Sequence, residues 1–335
     1  MKPILTIGIP VCNGMPFLAE TLQSVQAQTC VDFEILAIDD GSKDDSREYL
    51  LSLRDPRLRV ISQPNQGLTA TLNRMLEECR TPWLARLDAD DIALPHRLAR
   101  ISEAIGKYPE AGMFYSRAKH HDHANAVSLV RSSEGSPMEL REQTRRGYLL
   151  SICHSSVVLN VRKTLIAGGY RFNYKIEDLD LWWRMALRSD IVFVPEVTVA
   201  YRLNAGSMCI NNLREVARNT LFVQYLLLSH LRNRTPMSYA EVRPVLDAIL
   251  DERKLRYRQK MWDGAACLSK REYRRAALHL AAASMTAPGR FLNRCAYPLR
   301  RNKMVRVGES PARFEGVSDL LWPAKLPAEC ETVAV

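Results

Sequence analysis

The chain has 335 residues, 47% of them hydrophobic and 25% charged, a balance that suits one large or two ordinary globular domains and excludes a disordered or fibrous chain. A formal charge of +10 invites a polyanionic partner, but the excess lies late, in DERKLRYRQK, SKREYRR and LRRNKMVR, while the acidic clusters lie early. No zinc-finger spacing, RNP motif or helix-turn-helix accompanies it, so no nucleic acid partner is expected.

The eight cysteines stand far apart with no C-x-x-C pair, which points to a reduced protein with mostly buried thiols. The opening run ILTIGIP is cut by Pro10 and Asn13 and lacks a small-residue cleavage site, so no secretory leader is read. The apolar run Leu221–Leu228 is too short to cross a bilayer. The expected location is the cytoplasm, with membrane contact, if made, peripheral and at the inner face.

From the start, short apolar runs alternate with helix-period segments, the βαβ signature. Ile4–Ile9 reads as a buried strand, and Leu18, Leu22 and Val25 give the first helix its apolar face. Phe33–Ile38 is a second strand ending in DDGS; Asp44 and Asp45 open a helix whose inner face is Tyr49, Leu50 and Leu53. Arg59–Ser62 is a third strand and Leu68, Leu72 and Leu76 line a third helix. Trp83–Leu87 is a fourth strand, delivering Asp88, Asp90 and Asp91 to the carboxyl edge of the sheet, where open α/β sheets bind ligands.

Farther on, Pro95 begins a helix with Leu98, Ile101 and Ile105 inward, and Met113–Ala118 is a strand. His120–Pro137 reads as an exposed loop or hairpin, with histidines that are more simply solvated than metal-bound. Cys153–Asn160 reads as strand, Val161–Ala167 as a short helix stopped by Gly168 and Gly169, and Tyr174–Leu187 as a helix with Leu179, Trp182, Trp183 and Ala186 on one face. Ile191–Tyr201 is strand-like, broken at Pro195. After Met208 the pattern is helix upon helix, and SKREYRRAALHLAAASMTAP looks like half of one tetratricopeptide-type hairpin.

Carboxylates spaced D-x-D-D repel one another unless they face water, take up a proton or share a cation. A divalent metal bridging phosphate oxygens answers that need; the plain alternative is a polar loop after a strand. DDGS is likewise either a binding loop or an ordinary turn, and Glu177 and Asp178 are either catalytic acids or helix-start acids favoured by the dipole.

The set IPVCNG, EILAIDDGSKDDS, NQGLTATLNRML, LARLDADD followed by LPHRL, GGY, EDLDLWWR and VAYRLNAGS resembles the family 2 glycosyltransferases, inverting nucleotide-sugar enzymes with the GT-A fold. The resemblance covers roughly residues 3–208 and implies an α/β chain with a GT-A, Rossmann-like mixed sheet in a domain over 1–208; the pattern beyond it reads as a helical extension over 209–301 and a partly disordered tail over 302–335. Pro10, Asn13 and Asp40 match positions that hold the nucleotide base and ribose, with Gln66 at the same edge. Asp88 matches the acid that reaches the ribose, and Asp90 the acid that holds Mn²⁺ or Mg²⁺ on the diphosphate; Asp91 stands beside them as a further candidate.

Asp178 matches the general base that takes the acceptor hydroxyl's proton, and Glu177 and Asp180 remain as alternatives. Where many relatives carry a histidine ligand this chain has Asn204, which is either a weak neutral ligand or a turn cap before Gly206. The metal is therefore expected on Asp90, the donor diphosphate and water. The Q-x-x-R-W element of processive synthases is missing, as are P-loop and dinucleotide-binding glycine motifs.

The expected activity is an inverting, metal-dependent hexosyltransferase that moves a single sugar from a nucleoside diphosphate sugar, a UDP-sugar foremost, to a hydroxyl acceptor. A lipid-linked acceptor in cell-surface glycan, glycolipid or polysaccharide biosynthesis is one version of it. The alternatives are a nucleotidyltransferase on a related sheet, and a degenerate sugar-nucleotide-binding module acting as an assembly partner through its basic helices.

Overall fold

The computed structural model describes residues 3–30, 32–121, 129–171, 175–202, 212–269, 271–295 and 305–323. The chain divides into two compact units, one of Met1–Leu203 with Met304–Arg306 and one of Asn204–Lys303 with Val307–Val335.

The first unit is built on an eight-stranded sheet in the order β3-β2-β1-β4-β8-β6-β9-β5. Its first half is parallel: β1 (Leu5–Val11) lies between β2 (Phe33–Asp40) and β4 (Trp83–Arg86), and β3 (Leu58–Gln63) borders β2. Every residue of β1 is buried, as befits a parallel strand covered on both faces. Leu5, Ile7, Ile9 and Val11 share one core cluster with α1 (Leu18–Gln26), α2 (Ser46–Ser52) and α4 (Arg97–Lys107) through Leu18, Leu22, Leu50, Leu98 and Ile101. The alternate residues face the other way, toward α3 (Leu68–Glu78). There a Cβ on Gly8 would stand 2.2 Å from the Met75 sulfur, so only glycine lets α3 lie this close.

The second half is mixed. Short β5 (Ile92–Ala93) pairs antiparallel with β9 (Ile191–Arg202), which runs parallel to β6 (Met113–His121), and β8 (Val157–Asn160) is antiparallel to both β4 and β6. Pro195 does not break β9 as its sequence suggests. The register passes from Ser116↔Val194 to Arg117↔Val197, so Pro195 and Glu196 are absorbed in a bulge, where a missing N–H costs no ladder bond. The strand expected over Cys153–Asn160 also begins late. His154–Ser156 form a 3₁₀ turn in which Ser156 Oγ donates to Cys153 O at 2.8 Å, a serine hydroxyl competing with the ladder.

Two further readings change. The stretch from His120 to Pro137 fits the hairpin reading at its base, where Lys119 bridges antiparallel to Leu129, but it is not wholly exposed: Ser132 and Ser133 are buried, and Ser133 O accepts from the Tyr115 hydroxyl at 2.6 Å. Of its histidines and acid, Asp122 and His123 lie outside the described residues. After it comes an unexpected helix, α5 (Pro137–Arg145), started by a capping box between Ser136 and Glu139, and then a two-residue strand, β7 (Leu149–Leu150). Helices α6 (Val161–Ile166) and α7 (Glu177–Arg188) complete the unit, with Trp182 and Trp183 in the core. The thiols are less buried than expected: Cys12 is exposed, and Cys30, Cys79, Cys153 and Cys267 are half-buried.

The second unit is helical. Helix α8 (Leu213–Leu231) packs with α9 (Tyr239–Ala248), and α10 (Glu252–Ser269) forms a hairpin with α11 (Tyr273–Thr286), followed by α12 (Pro288–Cys295). Phe314 and Leu321, in the short helices α13 (Ala312–Glu315) and α14 (Ser318–Leu321), are fully buried. Tyr225 of α8 donates to Leu321 O at 3.0 Å. No helix among the described residues is long and apolar enough to cross a membrane.

Candidate active site

The chain first leaves β1 toward β2 and later returns on the other side as β4, so the sheet reverses direction between β1 and β4. Ligands in open α/β sheets sit at such a switch, outside the carboxyl ends. Leu87 N donates to Gly8 O at 3.0 Å, and beyond this β1 continues to Val11 beside β2 while β4 has ended. Pro10 sits at the resulting notch with no N–H to satisfy.

The loop after β1 is fixed to the loop after β2. Asn13, in the left-handed region at φ 54°, donates its N–H to Ser42 Oγ at 3.0 Å and accepts Lys43 N–H on Oδ1 at 2.7 Å. Gly14 N–H reaches Ser46 Oγ at 2.9 Å and Met15 N–H reaches Asp44 Oδ2 at 3.0 Å. Asp40 is buried, and its carboxylate accepts the backbone N–H of Gln66 at 2.8 Å and of Gly67 at 2.9 Å, with Gln63 Nε2 at 2.7 Å. It therefore shapes the approach to α3, and Gln66 leaves its side chain exposed.

At the end of β4 the oxygens of Asp88, Asp90 and Asp91 lie within 4.8 Å of one another. Arg86, fully buried, is ion-paired to Asp88. Ser155, carried in by the 3₁₀ turn, accepts the N–H of Asp88 at 3.1 Å and that of Arg86 Nη1 at 3.1 Å. Its hydroxyl is also within bonding distance of Asp88 Oδ2, at 3.0 Å, and of Asp91 Oδ2. Burial opposes the charge of Asp88, but Arg86 and these bonds hold it below the usual carboxylate range. Asp91 is different: burial, with the charge of Asp88 beside it, pushes its pKa up to about 8. Its other oxygen accepts the backbone N–H of Arg202 at 2.8 Å, while Arg202 Nε donates to Asp90 O at 2.9 Å. A carboxyl that keeps its proton and has both oxygens engaged is a poor cation ligand. The half-buried Asp90 and Asp88 fit a hard divalent ion better.

The start of α7 faces the same charges. Burial, then the charge of Asp178, raises Glu177 to about 7; burial raises Asp178 to about 6, with Arg86 and Asp88 near enough to act on both. Asp178 is half-buried and Glu177 almost wholly buried. His154 lies between them and the acid loop, its Nε2 2.9 Å from the Tyr170 hydroxyl and its Nδ1 3.9 Å from Glu177 Oε1. Burial, with Arg86 beside it, drives His154 well below its usual pKa, so the ring is neutral.

Asp180 has a different surrounding. It is fully buried, and its two oxygens accept Arg171 at 2.7 and 3.0 Å, Arg184 at 2.7 and 3.0 Å, and Trp183 Nε1 at 3.2 Å. Arg184 goes on to Gly169 O at 2.6 Å, fastening α7 to the glycine turn. Both its oxygens are thus engaged in holding α7 in place.

Pro10 and Asp40 thus lie in the last residues of β1 and β2, Asn13 and Gln66 on the loops after β1 and β3, and Asp88, Asp90, Asp91, Glu177 and Asp178 near Arg86. Asn204 lies outside the described residues. Arg86, His154, Ser155 and Arg202 went unnoticed in the sequence, because each acquires its part only through partners remote along the chain.

Comparison with known proteins agrees with this architecture. The family model described as glycosyl transferase family 2 matches residues 6–166. The chain is 29% identical over 201 residues to the amylovoran biosynthesis glycosyltransferase AmsE of Erwinia amylovora, 59% of this chain and 74% of that protein. It is 26% identical over 189 residues to a chondroitin synthase of Escherichia coli, of which it spans 26%. Among solved structures, S. aureus TarS 1-349 in complex with UDP-GlcNAc superposes with a TM-score of 0.54 at 15% identity, covering 87% of this chain and 83% of that one. The mannosyltransferase PcManGT of Pyrobaculum calidifontis in complex with GDP-Man and Mn²⁺ gives 0.52 at 17% identity, covering 90% and 82%. The sheet order, the acid loop at its switch point and these matches together give the chain the GT-A fold, with residues 6–166 matching glycosyl transferase family 2.

Proposed function

We propose that this glycosyltransferase is metal-dependent and inverting, and moves one sugar from a nucleoside diphosphate sugar to a hydroxyl acceptor. The observation that carries this reading is the pairing of a raised-pKa acid couple, Glu177 and Asp178, with the D-x-D-D loop across one buried arginine. Asp178, the more open acid, takes the proton from the acceptor hydroxyl as its oxygen attacks the anomeric carbon. The bond from that carbon to the diphosphate oxygen breaks, and its electron pair leaves with the nucleoside diphosphate. Asp90, with Asp88 near it, would hold Mn²⁺ or Mg²⁺, which when bound neutralises charge on the departing diphosphate. Pro10, Asn13, Asp40 and the Gln66 loop shape the side on which base and ribose rest.

The bound UDP-GlcNAc of TarS and the GDP-Man and Mn²⁺ of PcManGT support a nucleotide-sugar donor, and we place a UDP-sugar first. The name of AmsE supports a part in polysaccharide biosynthesis. The test is incubation with a panel of nucleotide sugars and Mn²⁺, reading released nucleoside diphosphate and the anomeric configuration of the product by NMR. A retained configuration defeats the inverting mechanism. Release of pyrophosphate from a nucleoside triphosphate and a sugar phosphate instead means a nucleotidyltransferase, and donor binding with no release means a binding module.

A further inference from the structure

The hairpin α10–α11 buries one side of α11 and leaves the other bare. Ala276, Ala283 and Ala287 face inward, the last two in a cluster with Tyr257. On the outer side Leu278 and Met285, two helical turns apart, are 71% and 76% exposed, with exposed Ala281 between them. Arg274 stands one turn before Leu278 on the same stripe. Tyr273 at the head of α11 is 66% exposed and Leu292 on α12 is 67% exposed. Single exposed apolar residues are ordinary, but two successive helices presenting them call for a partner.

Along the sequence the charge of this stretch is of one sign. Residues 273–304 contain seven Arg or Lys and no Asp or Glu. Acids from outside that stretch answer part of it: Arg275 pairs with Glu272 at 2.8 Å and Arg290 with Asp251 at 3.2 Å. An exposed apolar stripe in a basic stretch of chain is the pattern of a helix lying in the headgroup layer of an anionic bilayer. A second copy of the chain suits this face poorly, since a two-fold contact would bring its arginines against their own kind. We propose that the outer face of α11, continued by α12, docks on an anionic phospholipid surface without entering it as a span. This rests on the second unit alone and is independent of the donor chemistry proposed above.

The experiment is flotation of the full chain with vesicles of phosphatidylcholine, with or without phosphatidylglycerol, at low and high salt. The expected result is recovery with the anionic vesicles at low salt, about tenfold or more above neutral vesicles and above high salt. Leu278→Glu with Met285→Glu should lose that binding by a similar factor, with circular dichroism and donor turnover in solution unchanged, because both side chains are exposed. Equal recovery on both vesicle types, or a double variant that floats like the wild type, overturns the proposal. So does a concentration-dependent dimer that the double variant abolishes, which would assign the face to self-association.

Discussion

Ser155 Oγ stands 3.1 Å from the backbone nitrogen of Asp88 and 3.0 Å from its Oδ2, so a single hydroxyl fixes both the peptide and the carboxylate of the first loop acid. Ser155→Ala leaves a buried peptide N–H and Arg86 each short of a partner, at about 1–3 kcal/mol. The expected outcome is weaker donor affinity, roughly fivefold to a hundredfold by that measure, with native circular dichroism. Calorimetric titration of nucleoside diphosphate with Mn²⁺ checks it, and an unchanged affinity would show that the loop holds itself.

Asp178→Asn removes a proton acceptor without changing shape. Transfer should fall by about 10²–10⁴-fold while donor binding stays near normal. If this variant keeps its activity and Glu177→Gln loses it, the base is the deeper acid.

The pH dependence of this pair has a definite sign. Glu177 and Asp178 rise from ordinary values of 4.5 and 3.8 to about 7 and about 6, through burial first. The folded state then holds more protons than the unfolded chain between those limits. The pair's stability contribution is full below the unfolded values and is lost as pH rises through about 6 and 7. Activity runs the opposite way and should climb through the same window, as the coupled pair becomes ionised. Urea denaturation against pH should show the decline, and Glu177→Gln should flatten it. A wild-type profile that is level from pH 4 to 8 would count against the raised values.

Asp180 is predicted to be structural. Asp180→Asn leaves Arg184 buried without its counter-charge, a change that costs about 3–5 kcal/mol. Thermal and urea melts should register that loss, and whatever protein remains folded should retain the wild-type pH profile. A stable but inactive variant would reopen a catalytic part for this acid.

Asp88 is engaged by Arg86, and Asp91 by Ser155 and Arg202. Mn²⁺ affinity should therefore be weak in the absence of nucleotide and rise once a diphosphate contributes its oxygens. Micromolar or tighter binding to the donor-free chain, measured calorimetrically, would refute this. Asp90→Asn should abolish the nucleotide-dependent rise.

The strands of the first half of the sheet were legible because parallel strands are buried on both faces, and runs such as Leu5–Val11 say so without ambiguity. Helix α5 was not, since only Leu140 and Thr144 are buried on it; its start was nonetheless written in the Ser136–Glu139 spacing. The bulge at Pro195 depends on the register of β6, which no local pattern encodes. The acid run was visible at the end of β4, but its sorting was not: Ser155 meets Asp88 across 67 positions and Arg202 meets Asp91 across 111. Asp180 lies in the same motif as Asp178, and only the arrival of Arg171 and Arg184 tells the two apart.

The Asn13 loop is moored to Ser42, Lys43, Asp44 and Ser46, and the Asp88 loop to Arg86, Ser155 and Arg202, so the two loops are held by different partners. Two sets of fastenings can be exchanged separately. Transplanting the β1 and β2 tips from a relative with another donor base should change which nucleotide is accepted while leaving the charge arrangement around Arg86 as it is. Such a graft makes base preference an interchangeable part on an unchanged reaction centre.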